Sequence, residues 1–530
     1  MNCVTGETLA EEQERASGKE QVLSAMDKAA PKLRTKLGES LNTVQKFDAP
    51  LEQATTPSLE ALQAYSLARK ILLGKGDSAA AIPLFQRAIQ LDPNFAMAYA
   101  SLGVCYLNLG ELSLAAENTR KSYELRERVS EVEKFYIESH YYQHVTGDLE
   151  KARQVYELWA QSYPRDDIPP NQLGMVYRYM GQNDKTLAAK LEAARLEPAN
   201  RAYLVLSYLL LNRTEEARAV VKQAQPKDLE SPALRTRMYL LAFLQNDTEG
   251  MAQQVAWSRG KRAVENVLLA YEADTSAYSG RLGNARELSR RAVALAERSD
   301  ERETAATYEA AAALREALLG NASEARQRAA AALGLSTDRD VQYGAALALS
   351  LAGDTSRSQE LADDLGRRFP EDTIAQVNFL PTLSAQLVLS RSGTAKSSGT
   401  GSSKAIEVLQ GAAPYELGTF GVTYSFVCGY PIYLRGEAYL AGRRGNEAAA
   451  EFQKILDHSG VVLNEPIGVL AHLGLAHAYA LEAQSSQGAD ADGAHMKARR
   501  AYKDFFTLWK DADPDIPILK EAKAEYAKLQ

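Results

Sequence analysis

The chain has 530 residues, 45% of them hydrophobic and 24% charged, with a formal net charge of −7. The apolar fraction is ordinary, and the acidic balance argues against a nucleic-acid groove as the main business. Three cysteines, Cys3, Cys105 and Cys428, lie too far apart in sequence to form a framework of paired bridges, and Cys105 reads as an inert packing thiol.

The start, MNCVTGETLAEEQE, lacks a basic n-region and an apolar h-region, so no secretory signal is expected. Residues 7 to 47 carry an apolar stripe at Leu23, Met26, Ala30, Leu33, Leu37 and Val44, spaced mostly by three and four. That spacing predicts a helix with one sticky face, which would dock on the next element or self-associate through residues 1–55. Pro57 and Ser58 predict a helix start before Leu59.

The box Leu102-Gly103-x-x-Tyr106 returns as Leu173-Gly174-x-x-Tyr177, 71 residues on. That is two periods of ~34 residues plus three, the period of tetratricopeptide repeats. Antiparallel helices that cross closely need a small side chain at the crossing and bulk beside it. Second helices supply this as Ala81/Phe85/Ala88, Ala115/Thr119/Ser122, Ala152/Tyr156/Trp159 and Ala217/Val221/Ala224. The pattern weakens at Ala285/Ser289/Ala292 and Ala325/Ala329/Ala332, then returns at Ala448/Phe452/Ile455 and Ala498/Tyr502/Phe505. Pro93, Pro164, Pro198 and Pro370 should close second helices. Four repeats are expected at 62–95, 96–129, 133–166 and 167–200, with 130–132 inserted. Gly147-Asp148, Gly283-Asn284, Gly320-Asn321 and Gly353-Asp354 should be left-handed turns between paired helices.

The stretch GTAKSSGTGSSK, 393–404, reads as a flexible linker, and Gly411 to Gly429 as a second breaker-rich segment. A phosphate-loop reading of 393–404 fails because Thr400 stands where Lys is required. Leu519, Ala522, Tyr526 and Leu529 make a stripe on a terminal helix, as a solenoid's cap requires. The predicted fold is therefore all-α: a right-handed superhelical tetratricopeptide-repeat α-solenoid of roughly ten to twelve helix pairs with a C-terminal capping helix. Its divisions would be an N-terminal helical segment at 1–61, a solenoid at 62–392, the linker at 393–404, and C-terminal repeats with the cap at 405–530. The longest apolar run, Tyr203 to Leu211, is about half of the ~20 residues a membrane span needs, so no membrane insertion is expected.

Three stretches, 2–70, 447–481 and 501–529, contain phrases that repeat geometry does not force, among them KLGES, QKFD and DADPDIPILK. In them the chain resembles the tetratricopeptide-repeat C-terminal region of bacterial eukaryotic-type serine/threonine protein kinases. The resemblance implies a regulatory or recognition region lying C-terminal to a kinase, and makes 1–61 the tail of an upstream domain. It implies a cytoplasmic chain if expressed alone, and an extracytoplasmic one if attached to a membrane-anchored kinase. The catalytic motifs of such kinases are not recognisable: Thr337-Asp338-Arg339-Asp340 lacks the His, and Ala345 stands where the metal-binding Asn belongs. No kinase activity, catalytic residue or cofactor is carried over.

His140-x-x-x-His144 has a metal-capable spacing, but Tyr141 stands where a zincin has Glu, and His472 and His477 diverge by about 140° on a helix. No metal site is predicted. If the first helices line a concave groove for a peptide, register places Ser66, Lys70, Met97, Asn108, Lys134, Tyr141, His144, Asn171, Met175 and Arg178 there. A clamp for a chaperone's carboxylate tail would want Asn in place of Lys70. The expected function is a non-catalytic protein-protein interaction scaffold or sensor; the alternatives are an active kinase and a self-associating structural repeat protein.

Overall fold

The computed structural model describes residues 8–18, 21–38, 56–224, 229, 231–261, 264–392, 398–420, 424 and 429–529. They are helical with short turns and contain no strand, and they fall into two compact units, 1–145 and 146–530. The division lies inside the expected solenoid, not at its ends.

In the first unit the helix Val22–Lys36 lies beside residues 8–18, tied by Lys36 to Glu12 at 2.5 Å and by Lys32 to Glu14. Leu23 is buried, whereas Met26 and Leu37 of the predicted stripe are exposed; Val44 lies outside the described residues. Ser58 caps the helix Leu59–Lys75 by accepting from the Ala61 N–H at 3.2 Å, as Pro57-Ser58 led one to expect. That helix pairs with Ser78–Leu91, and Ala96–Leu109 pairs with Leu112–Glu124. Ala81, Phe85 and Ala88 are all fully buried. Tyr65 meets the Phe85 ring at 5.6 Å and the Phe95 ring at 4.8 Å, which joins the two pairs in one core. Cys105 is buried there, and burial pushes its thiol up to about 12, so it packs and does not react.

The second unit continues the pairing from Leu149–Ser162 to Pro466–Ser485 with Gly488–Leu508. Ala152/Tyr156/Trp159, Ala285/Ser289/Ala292, Ala325/Ala329/Ala332, Ala448/Phe452/Ile455 and Ala498/Tyr502/Phe505 are buried throughout. Second helices end at Leu91, Ser162, Leu196 and Arg368, each two residues before one of the named prolines.

The unit also winds back on itself. Thr373 N–H donates to Gly147 O at 3.0 Å, Asn212 Nδ2 to Asp457 O at 2.6 Å, Gly460 N–H to Asn212 Oδ1 at 2.7 Å, and Trp509 Nε1 to Tyr278 O at 3.0 Å. The bonds of Leu149 N–H to Thr373 Oγ1 and of Gly460 N–H to Asn212 Oδ1 join residues 224 and 248 positions apart, about seven periods of ~34 residues. Small inner faces explain the tight curl. The first helices Arg302–Leu318 and Arg339–Leu351 bury runs such as Ala310 to Ala313 and Ala345-Ala346, so neighbouring pairs approach closely on the inside.

Two expectations change. Gly147, Gly320 and Gly353 take positive φ as predicted, but Gly283 lies inside the helix Leu282–Arg298, and the left-handed turn falls three residues earlier at Gly280 (φ 72°). Leu282, fully packed, draws the helix start back past Gly283. Residues 398–404 of the expected linker form the first turns of the helix Ser398–Gln410, while 393–397 lie outside the described residues. The burial of Ala405 and Leu409 against the preceding helix Leu380–Ser392 overrides the poor helix propensity of Gly and Ser.

The closing helix Pro517–Lys528 buries Leu519 and Ala522, and Glu525 accepts from His477 Nε2 at 2.8 Å. Burial pulls the imidazole's pKa down, but the bond to Glu525 and the charges of Glu525, Glu437 and Glu521 outweigh it and raise the value above 6.5. The same bond lowers Glu525 below 4.5. The imidazolium form therefore stabilises docking below the unfolded His value and is lost as pH rises through the raised one; the Glu525 share is lost at the acid end. Hydrogen-exchange protection of 517–528 should be highest near pH 5 to 6 and fall towards pH 8. His477→Gln should flatten that fall, and equal slopes for both proteins would reject the assignment.

Candidate functional site

In the first unit the residues expected along the groove separate by environment. Ser66, Lys70 and Asn108 are exposed, and Leu73, one turn on from Lys70, is 71% exposed. Asn108 Nδ2 donates to Ser78 Oγ at 3.2 Å. Lys134 is half-buried and donates to the Glu127 carboxylate at 2.8 Å. Met97 is a correction: at 6% exposed it belongs to the core between the first two pairs, because its helix is apolar on nearly every face.

Tyr141 stacks on Tyr123 with centroids 3.8 Å apart, and Arg126 lies 3.8 Å from the Tyr123 ring centre. His140 is buried and stacked on Tyr136 at 4.1 Å, and burial pushes its pKa down to about 4, so it stays neutral. His144, half-buried, has its ring centre 5.8 Å from that of His140. These rings form a partly exposed aromatic face between the second helix of one repeat and the first helix of the next.

In the second unit the inner face is occupied by the chain itself. The helices Glu265–Tyr278, Arg302–Leu318 and Arg339–Leu351 are buried on almost every side. Against this face lies part of the segment that the sequence marked only as breaker-rich. Thr419 N–H donates to Arg178 O at 3.3 Å; Phe420 packs edge-on against Phe379 at 5.7 Å and tilted against Tyr179 at 6.3 Å. Tyr424 meets Tyr271 at 5.2 Å and Tyr308 at 5.4 Å edge-on, and its hydroxyl donates to Asp274. Asp274 also pairs with Arg315, whose second nitrogen donates to Ser289 Oγ at 2.6 Å. Glu465, nearby, accepts from the Tyr430 hydroxyl at 3.3 Å, and burial with Asp274 nearby raises its pKa well above the usual range.

Arg178, expected to line an open groove, is buried at 9% exposed beneath Thr419, 4.9 Å from the Tyr179 ring centre. Asn171 is half-buried and accepts from Lys190 through its backbone and side-chain oxygens at 2.7 and 2.6 Å. Met175 is half-buried on the same helix, Ile168–Tyr179. Sequence reasoning missed Lys190, Arg237, Asp274, Arg315 and Tyr424. Lys190 alone left a local signal: Thr186/Lys190/Ala193 continues the small-bulky-small register with a cation in the bulky position. Thr337-Asp338-Arg339-Asp340 proves to be a helix start, with Asp338 accepting from the Asp340 N–H and Arg339 bound to Asp372 at 2.6 Å.

Two family models described as tetratricopeptide repeat match this chain, one over residues 64–95 and one over 84–117. No curated protein matches. Among solved structures, TTC0263, a thermophilic TPR protein of Thermus thermophilus, is similar at 27% identity over 35% of this chain and 99% of that one, with a TM-score of 0.29. MamA protein is similar at 22% identity over 32% and 91% (TM-score 0.21), and the TPR domain of P58(IPK) at 14% over 88% and 98% (TM-score 0.21). No helix among the described residues is long and apolar enough to cross a membrane. Paired helices, small-residue crossings and the matched repeats make this chain an all-α tetratricopeptide-repeat solenoid.

Proposed function

We propose that this chain is a non-catalytic protein-protein interaction scaffold that engages a partner segment through the first-helix face of residues 59–144. The observation that carries this reading is the contrast within the molecule. The inner face of the second unit is covered by Thr419, Phe420 and Tyr424, whereas Ser66, Lys70, Leu73 and Asn108 remain in solvent. An exposed Leu one turn from an exposed Lys suits a peptide that offers an apolar anchor and backbone acceptors. Lys134, Tyr141 and His144 would extend the surface, and Asn171, Met175 and Arg178 would support the covered one.

The resemblance in 2–70, 447–481 and 501–529 supports a finer reading, a recognition or regulatory region of a serine/threonine kinase signalling protein. The test is photo-cross-linking in cells from a reactive residue placed at Lys70 or Leu73, with one at Arg290 on an outer helix as control. A discrete partner captured from 70 and 73 but not 290, and competed by a peptide of that partner, is the expected result. Equal yields from all three positions would refute the groove, and micromolar nucleotide binding by the purified chain would refute the non-catalytic reading.

Exposed Leu9, Met26 and Leu37 favour a second reading, self-association through residues 1–55. Deleting these residues should reduce the solution mass to that of one chain; an unchanged oligomer would dismiss it.

A further inference from the structure

The last helix, Pro517–Lys528, touches two levels of the second unit's winding at once. Its 12 residues make a rod about 18 Å long. The first of them lies on an early turn: a Cβ at Gly320, where φ is 90°, would fall 2.9 Å from Pro517 Cβ. Glu525, two turns on, is held by a late repeat, accepting from His477 Nε2 at 2.8 Å and from the Tyr502 hydroxyl at 3.0 Å. Tyr526 adds ring contacts to Tyr502 at 5.7 Å and Phe506 at 5.6 Å.

The residues leading into this helix grip a second early turn. Trp509 Nε1 donates to Tyr278 O at 3.0 Å, the Asp513 N–H to Gly280 O at 2.9 Å, and the Gly283 N–H to Asp513 Oδ2 at 2.7 Å. Gly280 has φ 72°, and a Cβ there would meet Ala512 and Trp509 at 2.5 and 2.9 Å, so the turn and the C-terminal segment fit only as a close pair. Trp509 and Ile516 are buried on either side of Asp513 in sequence. A deeper contact does not involve this segment: Asn464 Nδ2 donates to Tyr271 O at 2.8 Å and to Thr275 Oγ1 at 3.1 Å.

His477 is the ionisable donor in the late grip. Glu437 acts on it from the helix Tyr430–Ala441, Tyr502 neighbours it from Gly488–Leu508, and Glu521 and Glu525 act from the last helix, where Lys528 acts on Glu525. Burial lowers the imidazole's pKa, and the Glu525 bond with the three carboxylate charges raises it by more, to above 6.5.

We propose that residues 509–528 form a pH-sensitive clasp that holds the second unit's winding closed at the turns 278–283 and 320. Protonated His477 seats the last helix, and the helix, being stiff, keeps Pro517 on Gly320 and Asp513 on Gly283. The seat is complete below the unfolded imidazole value and weakens as pH rises through the raised one. Both early turns then loosen together, whereas Asn464, which does not titrate, keeps the deeper level joined. The clasp stands whether or not the face of residues 59–144 has a partner.

The test is hydrogen exchange of the full chain, read as protection factors from pH 5.5 to 8.5. Peptides covering 279–286 and 318–322 should lose protection about threefold or more over that range, in step with 517–528, while 265–274 should hold. His477→Gln should flatten all three falling profiles together. Asp513→Ala should lower protection of the Gly283 amide at every pH and leave the slope at 517–528. The pH profile of the unaltered chain guards against a variant that fails to fold. A slope at 517–528 with none at the two early turns, flat profiles throughout, slopes that persist in His477→Gln, or an equal fall through 265–274 would each overturn the proposal.

Discussion

Arg315→Ala is expected to lower the stability of the second unit by about 3–5 kcal/mol, the usual consequence of removing one partner of a buried ion pair. Arg315 and Asp274 are each more than nine-tenths buried, and the guanidinium is also the donor to Ser289. Without it Asp274 keeps, among the described residues, the Tyr424 hydroxyl in a site where burial already raises its pKa, with Glu465 nearby. The damage should be local at first, because repeat arrays open in sections. Hydrogen exchange of 265–278 and 302–318, and the urea midpoint of the first transition, are the measurements. The double change Arg315→Met with Asp274→Asn removes both charges and should recover much of the loss. Undiminished protection in Arg315→Ala would mean that the network does not hold the inner segment in place.

Phe452→Ala should cost a similar amount, about 3–5 kcal/mol, by a different mechanism. Its ring is fully buried between two glycines: a Cβ at Gly436 would come within 2.7 Å of it, and one at Gly474 within 2.6 Å. Tyr433 meets its edge at 5.8 Å. Removing the ring leaves a void bounded by backbone on two sides, which neighbouring side chains cannot fill by rotation. Adding Gly474→Ala to Phe452→Ala should regain part of the stability, although Gly474→Ala alone must clash with the ring. Thermal unfolding of the four proteins measures this coupling, and simple additivity would show that the glycines do not shape the site.

The repeat register was readable because its cause is local. A small side chain at the crossing and bulk one turn later recur wherever two helices touch, so Ala81/Phe85/Ala88 and Ala448/Phe452/Ile455 announced buried faces nearly 370 positions apart. Prolines two residues past Leu91, Ser162, Leu196 and Arg368 act through their own missing N–H, again a local effect. Gly283 misled because glycine marks a turn only where the backbone needs positive φ, and Leu282 packing decided that Gly280 would be the place. The residues 398–404 misled for a related reason, since propensity is weak against burial of the same helix at Ala405 and Leu409.

The amino-acid pattern alone thus established helices, pairing and period, all of which depend on neighbours within about 34 positions. Which side chains share a site depended instead on curvature, the sum of small offsets between successive pairs. That sum brings Asn212 to Gly460 and Tyr424 to Asp274, and turns a groove into a filled interior. No single window of sequence contains it, because each crossing contributes a slight rotation and only the folded stack adds them.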